Sequence, residues 1–304
     1  MDGSLKGITR SRWRTRGKTW SRLLFILPLL VYITLFLFFP VIYNIKMSLE
    51  NYTTSSIATG SAPFIGFQNY IHLFSEPLMR KTTVNTFAFV VGSIVFQVII
   101  GMLLALLFNK KFPLSRFLRT LMLIPWLLPL VVSGTAFKWI FDQSHGVLNS
   151  VLLRLHIIHS PIGWLVSPHV ALLSVIITNI WVGIPFNMVL FYSGLQDIPA
   201  ELYEASQLDG ANAWQRFWSV TLPSMKSVVA IVLMLGLIYT LKVFDIIMVL
   251  TGGGPANSSN ILSTWSYILS FQNMSFGKGA AVGNIMIAIS LLFSFIYMRV
   301  VRDA

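Results

Sequence analysis

The chain has 304 residues, 55% hydrophobic and only 11% charged, against about a quarter charged in a soluble domain. That balance excludes an ordinary soluble globular protein and marks an integral membrane protein. Cysteine is absent, which excludes disulfides, thiolate catalysis and cysteine-held metal, and the net charge of +12 sits mainly at the ends of apolar stretches, where membrane topology explains it better than nucleic-acid binding.

A helix that crosses the hydrocarbon core needs roughly 20 apolar residues. Six stretches qualify, at about 22–45, 83–108, 118–141, 169–193, 226–250 and 281–301. Backbone groups must be paired inside lipid, so all six are expected to be helices. The fold class is therefore all-α, a polytopic protein with six transmembrane helices. Residues 1–21 form a basic segment with Lys6, Arg10, Arg12, Arg14, Arg16 and Lys18, and residues 22–304 form the transmembrane domain. The first apolar run is too long for a signal peptide and lacks a small-residue cleavage site, so it reads as an uncleaved span. Pro28 and Pro40 are expected to bend or end it.

Orientation follows from Lys and Arg in the short loops. With the N-terminus inside, Arg22, Lys110, Lys111, Arg116, Arg119, Arg216, Lys226, Arg299 and Arg302 join the basic segment in the cytoplasm. The outer loops, at about 46–82, 142–168 and 251–280, keep Lys46, Arg80, Lys81, Arg154 and Lys278. Both termini are expected to be cytoplasmic. In the second outer loop His156 and His159 lie three apart with no third ligand, which reads as an ordinary loop. Gly17-Lys18-Thr19 ends like a phosphate loop, but Arg12 stands where glycine is needed and no strand precedes it. No catalytic set is present, so the chain reads as a non-enzyme.

The loop after the fourth span breaks the charge rule. Residues 194–225 carry Asp197, Glu201, Glu204 and Asp209 against a single Arg216. Asp197, Pro199 and Glu201 favour a helix start, and Gly210 suits a stop after Leu208. Asn212 then caps a second helix, with Trp214, Phe217, Trp218 and Thr221 on one face. The chain is thus expected to leave the membrane, form a hairpin over 197–223 and return after Pro223. Small Ala205 and Ser206 allow close approach of another surface, and Glu204 offers a charge to it. In the fifth span Lys242 and Asp245 lie three apart, and pairing with each other or contact with a substrate are both open. Asn179 in the fourth span likewise suits a helix–helix hydrogen bond or a ligand. Residues 251–255, Thr-Gly-Gly-Gly-Pro, form an outer turn.

The segment 204–223 resembles the EAA motif of ABC-importer permeases: Glu-Ala-Ala, three residues, Gly, nine residues, an aliphatic residue, any residue, then Leu-Pro. Glu204, Ala205, Gly210, Leu222 and Pro223 fall at the required positions, with Ser206 for the second Ala and Val220 for the usual Ile. Phe244-Asp245 before the glycine turn, and the run Asn179-Ile180-Trp181-Val182-Gly183-Ile184-Pro185-Phe186, are similar to the carbohydrate-importing, maltose-type branch. The resemblance implies the type I ABC-importer permease fold and import of a sugar or oligosaccharide. An alternative solute such as glycerol phosphate is compatible with Lys242, and a self-sufficient ion-coupled carrier would leave the acidic hairpin unexplained. It assigns ATPase coupling to Tyr203, Glu204, Ala205, Ser206, Asp209, Gly210, Leu222 and Pro223. It places Asn179, Gly183, Phe186, Gly236, Tyr239, Thr240 and Val243 toward substrate, with Lys242 and Asp245 beside them, and gives Gly183 the role of making room for a bulky ligand. The implied partners are a second, different permease chain, two ATPase subunits that hold ATP and Mg, an extracytoplasmic solute-binding protein and membrane lipid, but no nucleic acid. The implied place is the inner or plasma membrane of a prokaryote.

Overall fold

A computed structural model describes residues 25–302, and among them all regular structure is helical apart from two isolated bridges. The basic segment 1–21 and Arg22 lie outside the described residues. The first span, α1, is the continuous helix Phe25–Ser48. Of the two expected effects, bending or ending, neither Pro28 nor Pro40 ends it. A proline ring removes one N–H and crowds the carbonyl four residues earlier. Ahead of Pro40, residues Thr34–Phe38 open into a wider i→i+5 turn that relieves the crowding.

Two short helices, α2 (Thr54–Thr59) and α3 (Gln68–Ser75), lead to α4 (Pro77–Asn109). At 33 residues α4 is roughly 50 Å long, enough to overhang a bilayer core. The third span is not one helix. It is α5 (Ser115–Leu127) and α6 (Leu130–Ile140), bent by 96°. Pro129 is the cause: the residue before a proline is pushed out of the helical region, and Leu128 sits at φ −73°, ψ 141°. After α7 (Val147–Arg154), the fourth span α8 (Ala171–Gln196) runs unbroken through Pro185.

The chain then forms α9 (Ala200–Leu208), α10 (Ala213–Ser224) and α11 (Lys226–Leu241), with a 71° bend between the last two. The fifth span stops at Leu241 instead of running to 250, and restarts as α12 (Asp245–Leu250). Helix α13 (Leu262–Tyr267) continues into a wide turn, Ile268–Gln272, before the sixth span α14 (Phe276–Arg302). Four helices are long and apolar enough to cross a bilayer, and six crossings result if each bent pair is one.

Spans two and four are the centre of the packing. Phe89, Val90 and Ile94 of α4 meet Val175 and Val182 of α8, together with Leu241, Ile246 and Ile247. Toward the hairpin, Met102, Ala105 and Phe108 meet Met188, Phe191, Met225 and Val232. Glycine permits the closest approach: a Cβ on Gly101 would lie 2.8 Å from Asn187 Cβ and 3.1 Å from the Met188 backbone nitrogen. A third cluster joins Leu73, Met79, Trp265, Leu269 and Val282.

Polar stitches hold the connecting segments. Asn44 Nδ2 donates to Asn284 Oδ1 (2.7 Å), Asn284 Nδ2 to Tyr70 Oη (3.1 Å), and Tyr70 Oη to Ser48 Oγ (2.8 Å). In the loop at 142–168, buried Asn149 donates to the carbonyls of Gln143 (3.0 Å) and Ile162 (2.9 Å). Its Oδ1 accepts from the Ile162 N–H (3.2 Å) and the Trp164 indole (2.9 Å). At about 1 kcal/mol net for each of the four bonds, Asn149→Ala is expected to loosen this loop by about 4 kcal/mol. Hydrogen exchange over residues 142–168 checks this; unchanged protection there would contradict it.

Candidate functional sites

The hairpin is a self-contained unit whose shape follows from local chemistry. The end of α9 is closed by the paired bonds Ala211 N→Ser206 O and Gly210 N→Gln207 O, both 3.0 Å. That closure requires a left-handed residue after the cap, and Gly210 has φ +78°. Asn212 and Gln215 then cap α10 reciprocally, at 2.9 and 2.8 Å. The two helices are tied by Tyr203 Oη and Thr221 Oγ1, 3.0 Å apart, with Thr221 buried. Tyr203 is therefore an internal strut, and Ser206 Oγ donates back to its carbonyl at 2.8 Å.

What the hairpin leaves outside is a mixed acidic and apolar surface. Glu201, Glu204, Ala205 and Asp209 are exposed, and Leu208 is 90% exposed at the tip. Trp214, Phe217 and Trp218 form one aromatic cluster with centroid spacings of 5.4–6.2 Å, and both tryptophans are more than half exposed. Leu222 and Pro223 lie just before the bend into α11, so they set the angle between hairpin and span.

The residues expected to face substrate separate into two groups. Phe186 meets Tyr239 edge-on at 5.8 Å, and Lys242 Nζ lies 4.8 Å from the Tyr239 ring. Trp126 extends this row, 5.5 Å from Phe186. Sequence reading missed Trp126; an aromatic beside Pro125 in an apolar stretch gave no distinguishing signal. Tyr239 and Trp126 are each about half exposed, so spans three, four and five share an accessible aromatic shelf.

The second group is buried. Val243 lies in the apolar core with Leu241 and Ile246, Thr240 is 3% exposed, and a Cβ on Gly236 would rest 3.7 Å from Ile94. Gly183 does make room, but the space is filled by the Gln97 carboxamide from α4 and not left for a ligand. Gln97 Nε2 donates to the Asn179 carbonyl at 2.8 Å, while the buried Asn179 Nδ2 has no partner among the described residues. Lys242 and Asp245 do not form the pair their spacing allows: the helix breaks between them, and neither makes an ion pair among the described residues.

The glycine turn closes on its own chain. Gly252 and Gly253 take φ +61° and +85°. Asn85 Nδ2 on α4 reaches the carbonyls of Asn257, Ser258 and Asn260 at 2.9–3.2 Å, and Lys81 Nζ reaches that of Ala256 at 2.6 Å. A groove of about 540 Å³ between α4, α11 and α14 is lined by apolar side chains such as Val90, Ile94, Leu237 and Phe293. It contains none of the shelf residues and offers little to a hydroxyl-rich ligand. Among the described residues no group of three or more His, Cys, Asp or Glu could hold a metal ion.

The sequence profile of the family described as "Binding-protein-dependent transport system inner membrane component" matches residues 97–304. The chain is 35% identical over 280 residues to the trehalose/maltose transport system permease protein MalF of Thermococcus litoralis, covering 92% of each chain. It is 33% identical over 293 residues to the sulfoquinovosyl glycerol transport system permease protein SmoG of Agrobacterium fabrum, covering 96% of this chain and 94% of the relative. A crystal structure of a bacterial ABC transporter involved in the import of the acidic polysaccharide alginate has the same fold. Its TM-score is 0.79 at 24% identity, over 95% of this chain and 99% of the other.

Proposed function

Since the chain belongs to the family of binding-protein-dependent transport system inner-membrane components, we propose that it is a permease subunit of an ATP-driven importer that carries a sugar or oligosaccharide into the cell. The relatives named above support the carbohydrate class, and the aromatic shelf supports it physically. Ring faces of Trp126, Phe186 and Tyr239 cover the C–H faces of a sugar, and the Tyr239 hydroxyl offers a hydrogen bond.

The observation that carries the mechanism is the hairpin 200–224. It is rigid within itself, acidic and aromatic on its outside, and joined to the fifth span through a fixed bend. In the proposed mechanism two ATPase subunits, which bind ATP and Mg, dock on this hairpin from the cytoplasm. Their closure swings it, and the bend passes the motion to α11, which carries Tyr239. The shelf is then exposed alternately to the two sides of the membrane. Each partner must favour one of the two states to drive the cycle. An extracytoplasmic binding protein delivers substrate to the opposite face, where the loops at 46–82, 142–168 and 251–280 lie, and both termini are cytoplasmic. The shelf is half open in a single chain, which suits a second permease chain closing the pathway.

The test of the substrate class is the ligand that the cognate external binding protein retains on purification. The proposal expects a saccharide by mass spectrometry. A bound amino acid or metal would overturn the sugar assignment and leave the importer assignment standing.

A further inference from the structure

We propose that the importer's substrate is an anionic saccharide, and that Lys242 recognises its negative charge. This rests on the sugar reading above and adds the charge. The break in the fifth span puts Lys242 at the end of α11, exposed, between two helices that no longer run as one. An ammonium within a membrane-spanning region is costly unless it is paired or reaches a water-filled cavity. Among the described residues Lys46 lies 3.7 Å from Glu50, Lys278 lies 3.1 Å from Glu76 and Lys81 donates to the Ala256 carbonyl, whereas Lys110, Lys111, Lys138 and Lys226, like Lys242, form no ion pair. Among the described residues Lys242 meets a ring face, with Nζ 4.8 Å from the Tyr239 centroid.

The nearest acidic residue in sequence does not quench it. Asp245 opens α12, where the helix dipole favours a carboxylate without help from lysine. It too is exposed, and it forms no ion pair among the described residues. The ammonium therefore remains available, and its position is defined by the shelf. Trp126, Phe186, Tyr239 and Lys242 follow one another at 5.5, 5.8 and 4.8 Å. A sugar ring lying on this row would bring a substituent at its end to the ammonium. A neutral hydroxyl there gains one hydrogen bond; a carboxylate, sulfate or phosphate gains a charge-assisted one. A lysine also suits a point charge more than a planar fork, so it does not restrict the anion to a carboxylate.

A purely structural role for Lys242 is a cation at the C-terminus of α11, and the test must separate the two. The permease–ATPase complex is purified without its binding protein, so that only the pathway selects. Equilibrium binding is measured for maltose and for maltobiouronic acid, the same disaccharide ending in a carboxylate. The expected result is an affinity for the acid on the order of tenfold tighter than for maltose. In K242Q that ratio is expected to fall to about one, and in K242R to persist, since the charge is kept. Equal affinities in the wild type overturn this proposal alone. So does a ratio that survives in K242Q, or a parallel loss of both affinities that leaves the ratio intact. Binding of neither disaccharide overturns this proposal, while the sugar reading is decided separately by the ligand retained on the binding protein.

Discussion

Gly210→Val is expected to reduce ATP-driven uptake by on the order of tenfold or more, with insertion and folding of the permease retained. The reason is local geometry. Gly210 holds φ +78°, where a β-branched residue is strained, and its N–H and that of Ala211 close the end of α9. A left-handed residue with a side chain costs about 1–2 kcal/mol, a factor of roughly ten. Among the described residues a Cβ at this position would meet nothing within 4 Å, so the substitution creates no clash with them. What changes is the direction in which α10 leaves α9, and with it the aim of Glu204 and Trp214. Gly210→Asn is the control, because Asn tolerates the left-handed region, and most uptake should survive. Both variants are compared by substrate-stimulated ATP hydrolysis and uptake in proteoliposomes. Equal activity for Val and Asn would contradict the coupling role.

The second large effect is expected from Gly101→Leu. Here the obstacle is backbone and cannot swing away. The new Cβ would face the Met188 nitrogen at 3.1 Å as well as Asn187 Cβ at 2.8 Å. Relief requires α4 and α8 to separate, which opens the clusters on either side of the contact. Overpacking of this kind costs about 3 kcal/mol, and a detergent-solubilised permease should lose most of its folded yield. Gly92→Ala lies on the same helix but would meet only the Ile176 side chain, at 3.5 Å, an ordinary contact. It should be neutral or slightly stabilising, as alanine favours helix over glycine by about 1 kcal/mol. Thermal melting of the purified variants checks the contrast, and a wild-type midpoint for Gly101→Leu would contradict the packing described.

The hairpin was readable from sequence because each of its determinants is local. Pro199, Gly210, Asn212 and Pro223 act within a few residues of themselves, and the structure places α9 and α10 where they point. Breaks inside the spans were less readable, although prolines mark several of them. Pro40 is absorbed by a wide turn and Pro185 by an otherwise regular helix, yet Pro129 turns the third span by 96°. The difference lies in whether the preceding residue stays helical, and packing decides that. The stop at Leu241 carries no proline or glycine at all.

Contacts between spans were the least accessible. Gly183 in the fourth span invites a ligand when read alone, and only the fold shows that Gln97 from the second span fills the space. Trp126 joins Phe186 and Tyr239 across three spans that sequence separation does not relate. The membrane class itself was set by composition, and counting apolar runs leads to an expected six crossings, for which the structure has four long helices and two bent pairs.

The central claim is that this chain transports only when an ATPase moves its hairpin. The direct measurement is uptake in proteoliposomes that hold the permease and its binding protein, with and without the ATPase subunits and ATP. The account predicts uptake only when ATPase and ATP are both present, and its loss in Gly210→Val. Uptake at the full rate from permease alone would contradict it.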